Sequence, residues 1–288
     1  MDLQSLHFFK AVADTGSFSA ASRQLHFAQS HISTQISHLE QELGTSLFYR
    51  HSRGIRLSQS GMQFLEYTNR IIQLMDEAER SIQNDRPFGT LKIASMQTTA
   101  QSLLPNMLSA YHKAFPEVKL EITTGVASGN IQALRNHDAD IAFVSGGYED
   151  PNLHFNKLYD ENLVLVSAAD INVDTDLASL LSDHTLLVFP EGCSYRKQLT
   201  LLCASYSAVP ADLIVFDSLP GIIAGVCAGL GVTLLPQTIV QSYLDQHLLF
   251  AHEIPASFSS VPLHMVTRVD EYQSIAIQEM AVLIQSIK

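Results

Sequence analysis

Few of the residues that commonly carry out enzyme chemistry stand close together in this 288-residue sequence. The tightest group of acids and histidine is His137-Asp138-Ala139-Asp140, where a predicted helix passes into a predicted strand. An aspartate at such a turn commonly bonds the neighbouring backbone. The sequence contains no nucleophile elbow, phosphate-binding loop or HExxH zinc motif. We therefore expect no catalytic residues and a protein that is not an enzyme.

The three cysteines, Cys193, Cys203 and Cys227, do not form a recognisable framework. Their odd number in a long chain does not fit the disulfide scaffold of a small secreted protein. No CxxC pair exists, which excludes the usual spacing of a zinc site. The sequence therefore favours buried or inert thiols, with no metal and no cofactor. A thiol that senses oxidants stays open as an alternative.

A hydroxyl-rich segment follows a predicted strand. Ser95-Met96-Gln97-Thr98-Thr99 comes directly after the strand predicted at Leu91 to Ser95, and it opens a helix. Ligands of doubly wound sheets bind at the carboxyl ends of strands, and helix N-termini favour anions. The candidate ligand contacts here and at later element ends are Ser95, Gln97, Thr98, Thr99, Ser128 and Ser145. The alternative is that these hydroxyls only cap helices.

Another polar set lies on a predicted helix near the amino terminus. Apolar residues at spacings of four, three and four predict its buried face, namely Ile32, Ile36, Leu39 and Leu43. The outer face carries Ser30, Ser33 and Thr34, with Gln29 at the tip. Glutamine can bond adenine through two hydrogen bonds, and serine or threonine can reach base edges or phosphates. These four residues are therefore candidate DNA contacts.

The surrounding elements follow the order of a winged helix-turn-helix. Two short helices precede the polar one, ended by Gly16 and by a turn at residues 26–29. Short strands at Leu47 to Arg50 and Ile55 to Leu57 flank the basic hairpin His51-Ser52-Arg53-Gly54. Arg53 is placed to enter a minor groove, and Arg56 to approach phosphates. The alternative is a small helical domain with an unrelated role.

A long helix follows this domain. Phe64, Thr68, Ile71, Met75, Ala78 and Ile82 form a heptad seam. A partner chain would cover this seam, although packing on the second domain of the same chain is an alternative. Arg86-Pro87-Phe88-Gly89 breaks the pattern. The predicted domains are residues 1–58, a linker of residues 59–88, and residues 89–288.

Beyond residue 89, short apolar strands alternate with helices. The predicted strands are 91–95, 119–123, 141–144, 163–167, 186–189, 213–216 and 232–235, and the helices hold residues 103–111, 131–136 and 221–228. This alternation predicts an α/β domain with a mostly parallel, doubly wound sheet.

Charge is distributed unevenly along the chain. Almost all of the net charge of −12 lies beyond Thr90. Residues 1–90 contain 8 Lys and Arg and 9 Asp and Glu, whereas residues 91–288 contain 9 Lys and Arg and 20 Asp and Glu. A local basic face therefore remains possible at the N-terminal end. No apolar run is long enough to span a membrane, and the sequence opens without a signal-like segment. A cytoplasmic location is the expectation, and a secreted solute-binding protein is disfavoured.

The N-terminal 60 residues resemble the LysR-type transcriptional regulators. The matching positions are Leu6-x-x-Phe9-x-x-Val12, Gly16-Ser17-Phe18-Ser19-x-Ala21, Leu25-His26, Gln29-x-x-Ile32-Ser33-x-Gln35-Ile36-x-x-Leu39-Glu40, Leu43-Gly44, Leu47-Phe48-x-Arg50, Arg56-Leu57-Ser58 and Gly61. Looser matches continue at Leu104-Pro105, Phe115-Pro116, Asp140-Ile141-Ala142 and Ala228-Gly229-Leu230-Gly231-Val232. The resemblance implies an effector domain with the fold of periplasmic binding proteins. Its two α/β subdomains would comprise residues 89–163 with 262–288, and residues 164–261.

The resemblance also implies roles for particular residues. The family contacts DNA at the positions of Gln29, Ser30, Ser33 and Thr34. This chain departs at two of them, since proline is common at position 30 and a basic residue at position 34. The loop 190–196 would face the ligand cleft, with Ser194 as a ligand contact. Arg196 would hold a carboxylate or anchor its own loop.

The expected protein is a DNA-binding regulator controlled by a small polar or carboxylate metabolite bound between the subdomains. Its expected partners are double-stranded DNA, the effector, further copies of itself in a homodimer or homotetramer, and RNA polymerase. Redox sensing is disfavoured, because Ser194 occupies the reactive-cysteine position of the peroxide-sensing branch and Cys193 is one residue out of register.

Overall fold

The computed structural model of the chain describes residues 1–51, 54–83, 87–168, 176–269 and 273–286. The chain forms two compact units, Met1–Asp85 and Arg86–Lys288. No helix in the described ranges is both long enough and apolar enough to cross a membrane.

The first unit begins with three helices, α1 Leu3–Thr15, α2 Phe18–Leu25 and α3 Gln29–Leu43. Side chains cap the first two, because Asp2 accepts a hydrogen bond from the backbone of Ser5, and Ser17 from that of Ala20. The helices enclose a small core that includes Phe8, Phe9, Val12, Ile32, Ile36 and Leu39. Leu43 is a correction: it was expected on the buried face but is 38% exposed, since α3 ends there at Gly44.

A hairpin and a long helix complete the first unit. Strands β1 Phe48–His51 and β2 Gly54–Leu57 pair antiparallel, and α4 Gln59–Gln83 follows. The Glu40 carboxylate accepts hydrogen bonds from the backbone of Leu47 (2.7 Å) and Phe48 (3.2 Å), which ties α3 to the hairpin. Gly61 packs so closely on the Leu47 carbonyl that a side chain there would overlap it.

The predicted heptad seam is divided between two environments. Thr68 is fully buried, and the ring of Phe64 packs on Phe9 of α1 at 5.1 Å. The seam residue Ile71 is 37% exposed, and the neighbouring Leu74 is 64% exposed. The first unit therefore covers the start of the seam itself, whereas a partner chain was expected to cover the seam. The side chain of Ile82 lies outside the described set.

The second unit alternates strands and helices. Its strands are β3 Gly89–Ser95, β4 Val118–Thr124, β5 Ile141–Ser145, β6 Leu153–Ala168, β7 Thr185–Val188, β8 Asp212–Val215, β9 Thr233–Pro236, β10 Leu249–His252 and β11 Ser260–Arg268. Its helices are α5 Gln97–Ser102, α6 Leu104–Ala114, α7 Ala127–Arg135, α8 Leu177–Asp183, α9 Ser194–Ser205, α10 Leu219–Cys227, α11 Gln237–Asp245 and α12 Ile275–Ser286.

Strand β6 belongs to two lobes. Its residues 153–162 pair with β11, in the sheet order β4-β3-β5-β11-β6; this sheet defines the first lobe. Its residues 163–168 pair with β9 and β10, and β7 bridges to Val232 beside β9; these strands define the second lobe. The α/β architecture is as expected. The sheet is mixed rather than mostly parallel, because β6 and β11 run antiparallel to their neighbours.

Only the end of β6 was predicted as a strand. Residues 163–168 are mostly buried, whereas residues 154–157, 159 and 160 are exposed or half-buried and largely polar. A half-exposed strand with this composition gives no apolar run from which to recognise it. The central strands β3, β5 and β11 of the first-lobe sheet are covered on both faces, by α7 on one side and by α6 and α12 on the other.

Candidate functional site

The N-terminal end of α3 presents most of its predicted DNA contacts to solvent. Gln29, Ser30 and Thr34 are exposed, and Ser33 is half-buried. The Ser19 hydroxyl donates to Oε1 of Gln29 at 3.1 Å, which fixes the amide at the tip of α3 and leaves its N–H groups available. The Thr34 hydroxyl donates to the carbonyl of Ser30 at 2.9 Å, so only its oxygen lone pairs remain open to a partner.

The hairpin contributes one described cation to this set. Arg56 is exposed on β2, in register with Tyr49 on β1. Arg53, the predicted minor-groove contact, lies outside the described residues.

An aromatic cluster that sequence reasoning missed sets the turn before α3. The His31 ring stacks on Phe27 at 5.6 Å and meets the edge of Phe8 at 5.6 Å. These contacts hold the start of α3 against α1, while the His31 side chain itself is exposed. The residue that could have indicated this cluster from the sequence is Phe27, an aromatic residue in a predicted turn.

A cavity of about 370 Å³ lies between the two lobes of the second unit. The first lobe lines it with Met96, Gln97, Thr98, Thr124, Gly125 and Val126. The second lobe lines it with Phe189, Pro190, Cys193, Tyr195 and Asp217. Its volume falls at the small end of ligand sites, and it occurs where sheet strands end, as expected for this architecture.

A chain of hydrogen bonds crosses from one lobe to the other behind this cavity. The Thr98 and Tyr195 hydroxyls are 2.9 Å apart, and the Tyr195 hydroxyl donates to Oε2 of Glu161 at 2.9 Å. The Ser145 hydroxyl donates to the same carboxyl oxygen. All four side chains are buried. Thr98 and Ser145 belong to the first lobe and Tyr195 to the second, so the chain links the lobes through β6.

Glu161 is a buried acid at the point where β6 passes between the lobes. Burial raises the pKa of its carboxyl, and the hydrogen bonds from Ser145 and Tyr195 only partly offset this. Burial and the nearby Glu161 also raise the pKa of Tyr195 well above its ordinary value, so Tyr195 stays a hydrogen-bond donor. Sequence reasoning missed Glu161. The sequence pattern that could have indicated its burial is the two-residue period of the strand, which puts Glu161 on the same face as Leu163 and Leu165.

Gln97 makes a second link between the lobes. Its amide nitrogen donates to the carbonyl of Asp217 at 2.6 Å, and its Oε1 accepts from the backbone of Leu219 at 2.7 Å. A third link is the hydrogen bond from the backbone of Ser128 to the carbonyl of Gly192, at 3.3 Å. Gly192 has φ of +89°, and a side chain on it would overlap the Ser128 hydroxyl.

The remaining predicted ligand residues do not gather at this cavity. Ser95 is buried and donates to the carbonyl of Met96, and the Thr99 and Ser194 hydroxyls are buried without a hydrogen-bond partner in the described part of the chain. Ser128 and Arg196 line a separate, more open cavity of about 420 Å³. Arg196 donates to the carbonyl of Phe189 at 3.2 Å and lies 3.7 Å from Glu191, so it anchors its loop.

Comparison with known proteins assigns both units. Residues 3–62 match the model for the bacterial regulatory helix-turn-helix proteins of the lysR family, and residues 84–286 match the LysR substrate binding domain. The chain belongs to the LysR-type family of transcriptional regulators. It is therefore a DNA-binding transcriptional regulator with an effector-binding domain.

Relatives of this LysR-type regulator extend along nearly its whole length. The regulator GltR of Bacillus subtilis is 37% identical over 271 residues, which cover 94% of this chain and 91% of that protein. SoxR of an Arthrobacter species is 34% identical over 289 residues, covering 100% and 97%. Two solved structures share the fold. Full-length OxyR of Pseudomonas aeruginosa has a TM-score of 0.68 and 22% identity, covering 100% of this chain and 94% of that chain. CbnR in complex with its target DNA has a TM-score of 0.69 and 22% identity, covering 100% of both chains.

The cysteines of this regulator are poorly placed for redox chemistry with each other. Cys193 precedes the first residue of α9 and Cys203 lies ten residues along it, so their Cα atoms are about 15 Å apart by helix geometry. A disulfide needs less than about 7 Å. Burial raises the pKa of both thiols, which disfavours the reactive thiolate.

The acid–histidine cluster has a structural role at Asp140. Its carboxylate accepts a hydrogen bond from the backbone of Lys92 at 2.8 Å and lies 3.7 Å from Arg268. The Lys92 bond holds the start of β5 against β3, and the ion pair ties it to the end of β11. The described ranges contain no group of three metal-binding side chains.

Proposed function

We propose that this LysR-type regulator reads DNA with residues 1–58, pairs with a second copy through residues 59–88, and binds a small polar effector with residues 89–288. Within the last part, residues 89–163 with 262–288 and residues 164–261 would act as the two effector-binding subdomains. The observation that carries the proposal is the cavity lined by both lobes, backed by hydrogen bonds that cross between them. A ligand there contacts both lobes and can favour one arrangement of them over another.

The proposed base-reading residues are Gln29, Ser30, Ser33 and Thr34 at the exposed end of α3. Arg53 is proposed to enter the minor groove and Arg56 to contact phosphates, and both would add affinity for any sequence. The fixed Gln29 amide favours a base contact, because Ser19 holds it without using its N–H donors.

The proposed dimer contact is the exposed part of α4. Tyr67, Ile71 and Leu74 place apolar side chains in solvent at spacings of four and three residues. Such a stripe fits the matching helix of a second copy. A tetramer would then form from two such dimers.

The DNA half of the proposal is tested by selecting genomic fragments that the full chain binds, and then titrating variants on a selected fragment. Ser33→Ala and Gln29→Ala should weaken specific binding by about 1–3 kcal/mol and leave random DNA nearly unaffected. His38→Ala, exposed on the same helix, serves as a control. Equal losses on random DNA would exclude base reading.

The effector half is tested by screening metabolites for those that change DNA binding by the full chain. Thr98→Val should raise the concentration needed by about tenfold or somewhat less, because one hydroxyl is lost. Thr98→Ser, which keeps the hydroxyl, should respond like the parent. A Thr98→Val variant with the parent's response would place the effector site elsewhere.

A further inference from the structure

The charge of the cavity between the lobes differs from that expected for a carboxylate ligand. The described lining contains no lysine, arginine or histidine. Its charged residue is Asp217, which is exposed at the second-lobe side. The separate, more open cavity is lined instead by two cationic side chains that could bind a carboxylate, Arg196 and Lys197.

The direction of the hydrogen bonds behind the cavity adds a second, independent observation. Tyr195 donates its single hydroxyl hydrogen to Glu161. The 2.9 Å contact with Thr98 must then use the hydrogen of Thr98 and a lone pair of Tyr195. The Thr98 oxygen keeps only lone pairs for any further partner, so a ligand that reaches it must donate a hydrogen bond.

The rest of the lining is largely apolar. Met96, Val126, Phe189 and Pro190 come from both lobes and surround the polar positions. A cavity of about 370 Å³ with such walls takes a small ligand with a compact hydrocarbon body.

We propose that the effector is a small amine, whose ammonium group is held by the Asp217 carboxylate and the Thr98 oxygen and whose hydrocarbon part fills the apolar walls. This inference rests on the proposed effector function of the cavity and narrows the polar or carboxylate metabolite expected from the sequence to an amine. An ammonium group has three donors and no acceptor, which matches a lining that offers a carboxylate and a lone pair. A carboxylate there would face Asp217, and the described lining holds no lysine, arginine or histidine to balance it; the N-terminus of α5 at Gln97 offers it only a partial positive charge.

The test compares ligands that differ only in the charged group. Butylamine is paired with pentanoate, and benzylamine with phenylacetate, each titrated calorimetrically into the full chain. The amines should bind at least about tenfold more tightly than their partners, because one charge is attracted to Asp217 and the other repelled. Asp217→Asn should lower amine affinity about fivefold, and added salt should reduce that loss. Lys197→Gln, in the other cavity, should leave amine affinity unchanged.

Tighter binding of the carboxylates would overturn the inference, as would amine binding that ignores Asp217→Asn. If carboxylates bind and Thr98→Val weakens them, the cavity is still the effector site and only the assigned charge is wrong. If neither series binds, the cavity does not select an ammonium group and the inference falls. The metabolite screen against DNA binding then decides separately whether the cavity has an effector role.

Discussion

The link made by Gln97 permits a quantitative prediction about how firmly the lobes are held together. Gln97→Met keeps the length of the side chain and removes both of its bonds, to the Asp217 carbonyl and the Leu219 amide. Each such bond contributes about 0.5–1.5 kcal/mol net. Gln97 is only half-buried, so we expect a total loss of about 1–2 kcal/mol.

That loss corresponds to about a fivefold to thirtyfold rise in the population of separated lobes. The Ser128 amide reports it, because it donates to the Gly192 carbonyl across the lobes and Gln97→Met does not touch that bond. Hydrogen exchange of the Ser128 amide in the full chain should therefore accelerate by the same factor.

A matched control is Gln132→Met, since the Gln132 side chain bonds Asn136 at the exposed C-terminal end of α7, within one lobe. It should leave exchange at Ser128 unchanged. If Gln97→Met also leaves that exchange unchanged, the Gln97 bonds do not hold the lobes together and the reasoning fails.

Three further predictions concern stability and assembly. Because burial raises the pKa of Glu161 in the folded chain, its contribution to stability is present at low pH and is lost as pH rises through that pKa, by at most about 1.4 kcal/mol per pH unit. Urea unfolding of Glu161→Gln should lack this loss. Parallel pH profiles of the free energy of unfolding in parent and variant would contradict the prediction. Gly61→Ala should destabilise the first unit by about 1–3 kcal/mol in thermal unfolding, because the added methyl group would overlap the Leu47 carbonyl. Gly129→Ala, in an open helical position, should be neutral or stabilising. Equal effects of the two substitutions would refute the argument from close packing at Gly61. Ile71→Glu with Leu74→Glu should yield monomers in sedimentation experiments, an expectation that fails if the parent is itself monomeric at micromolar concentration.

The first unit could be predicted closely because its signals are local. Helix ends are set by Gly16 and Gly44 in left-handed conformation and by the Ser17 cap, all visible as residue types at the ends of periodic runs. Dense family motifs cover the same stretch. Local sequence patterns could not show which part of the α4 seam is buried by the first unit itself.

The cavity was harder to predict, because its geometry depends on contacts distant in sequence. Thr98 was recognised from its place after β3, but its partner Tyr195 is 97 positions away, and Glu161, which Tyr195 bonds in turn, is 63 positions away. Arg196 was expected either to hold a carboxylate or to anchor its own loop, and its hydrogen bond to the Phe189 carbonyl is visible only in the structure. The two-residue period shared with Leu163 and Leu165 places Glu161 on a buried face, but only the tertiary structure shows which side chains it bonds there.

The division of β6 between two sheets has a mechanical consequence. The chain passes between the lobes at residues 162–163 of β6 and again through residues 253–259, which connect β10 to β11. Two neighbouring covalent connections define an axis: they oppose sliding of one lobe past the other and leave rotation as the soft coordinate. Residues near that axis move little while residues far from it sweep a wide arc. A small molecule therefore needs to change only an angle for a displacement of several ångströms to appear at the outer ends of the lobes.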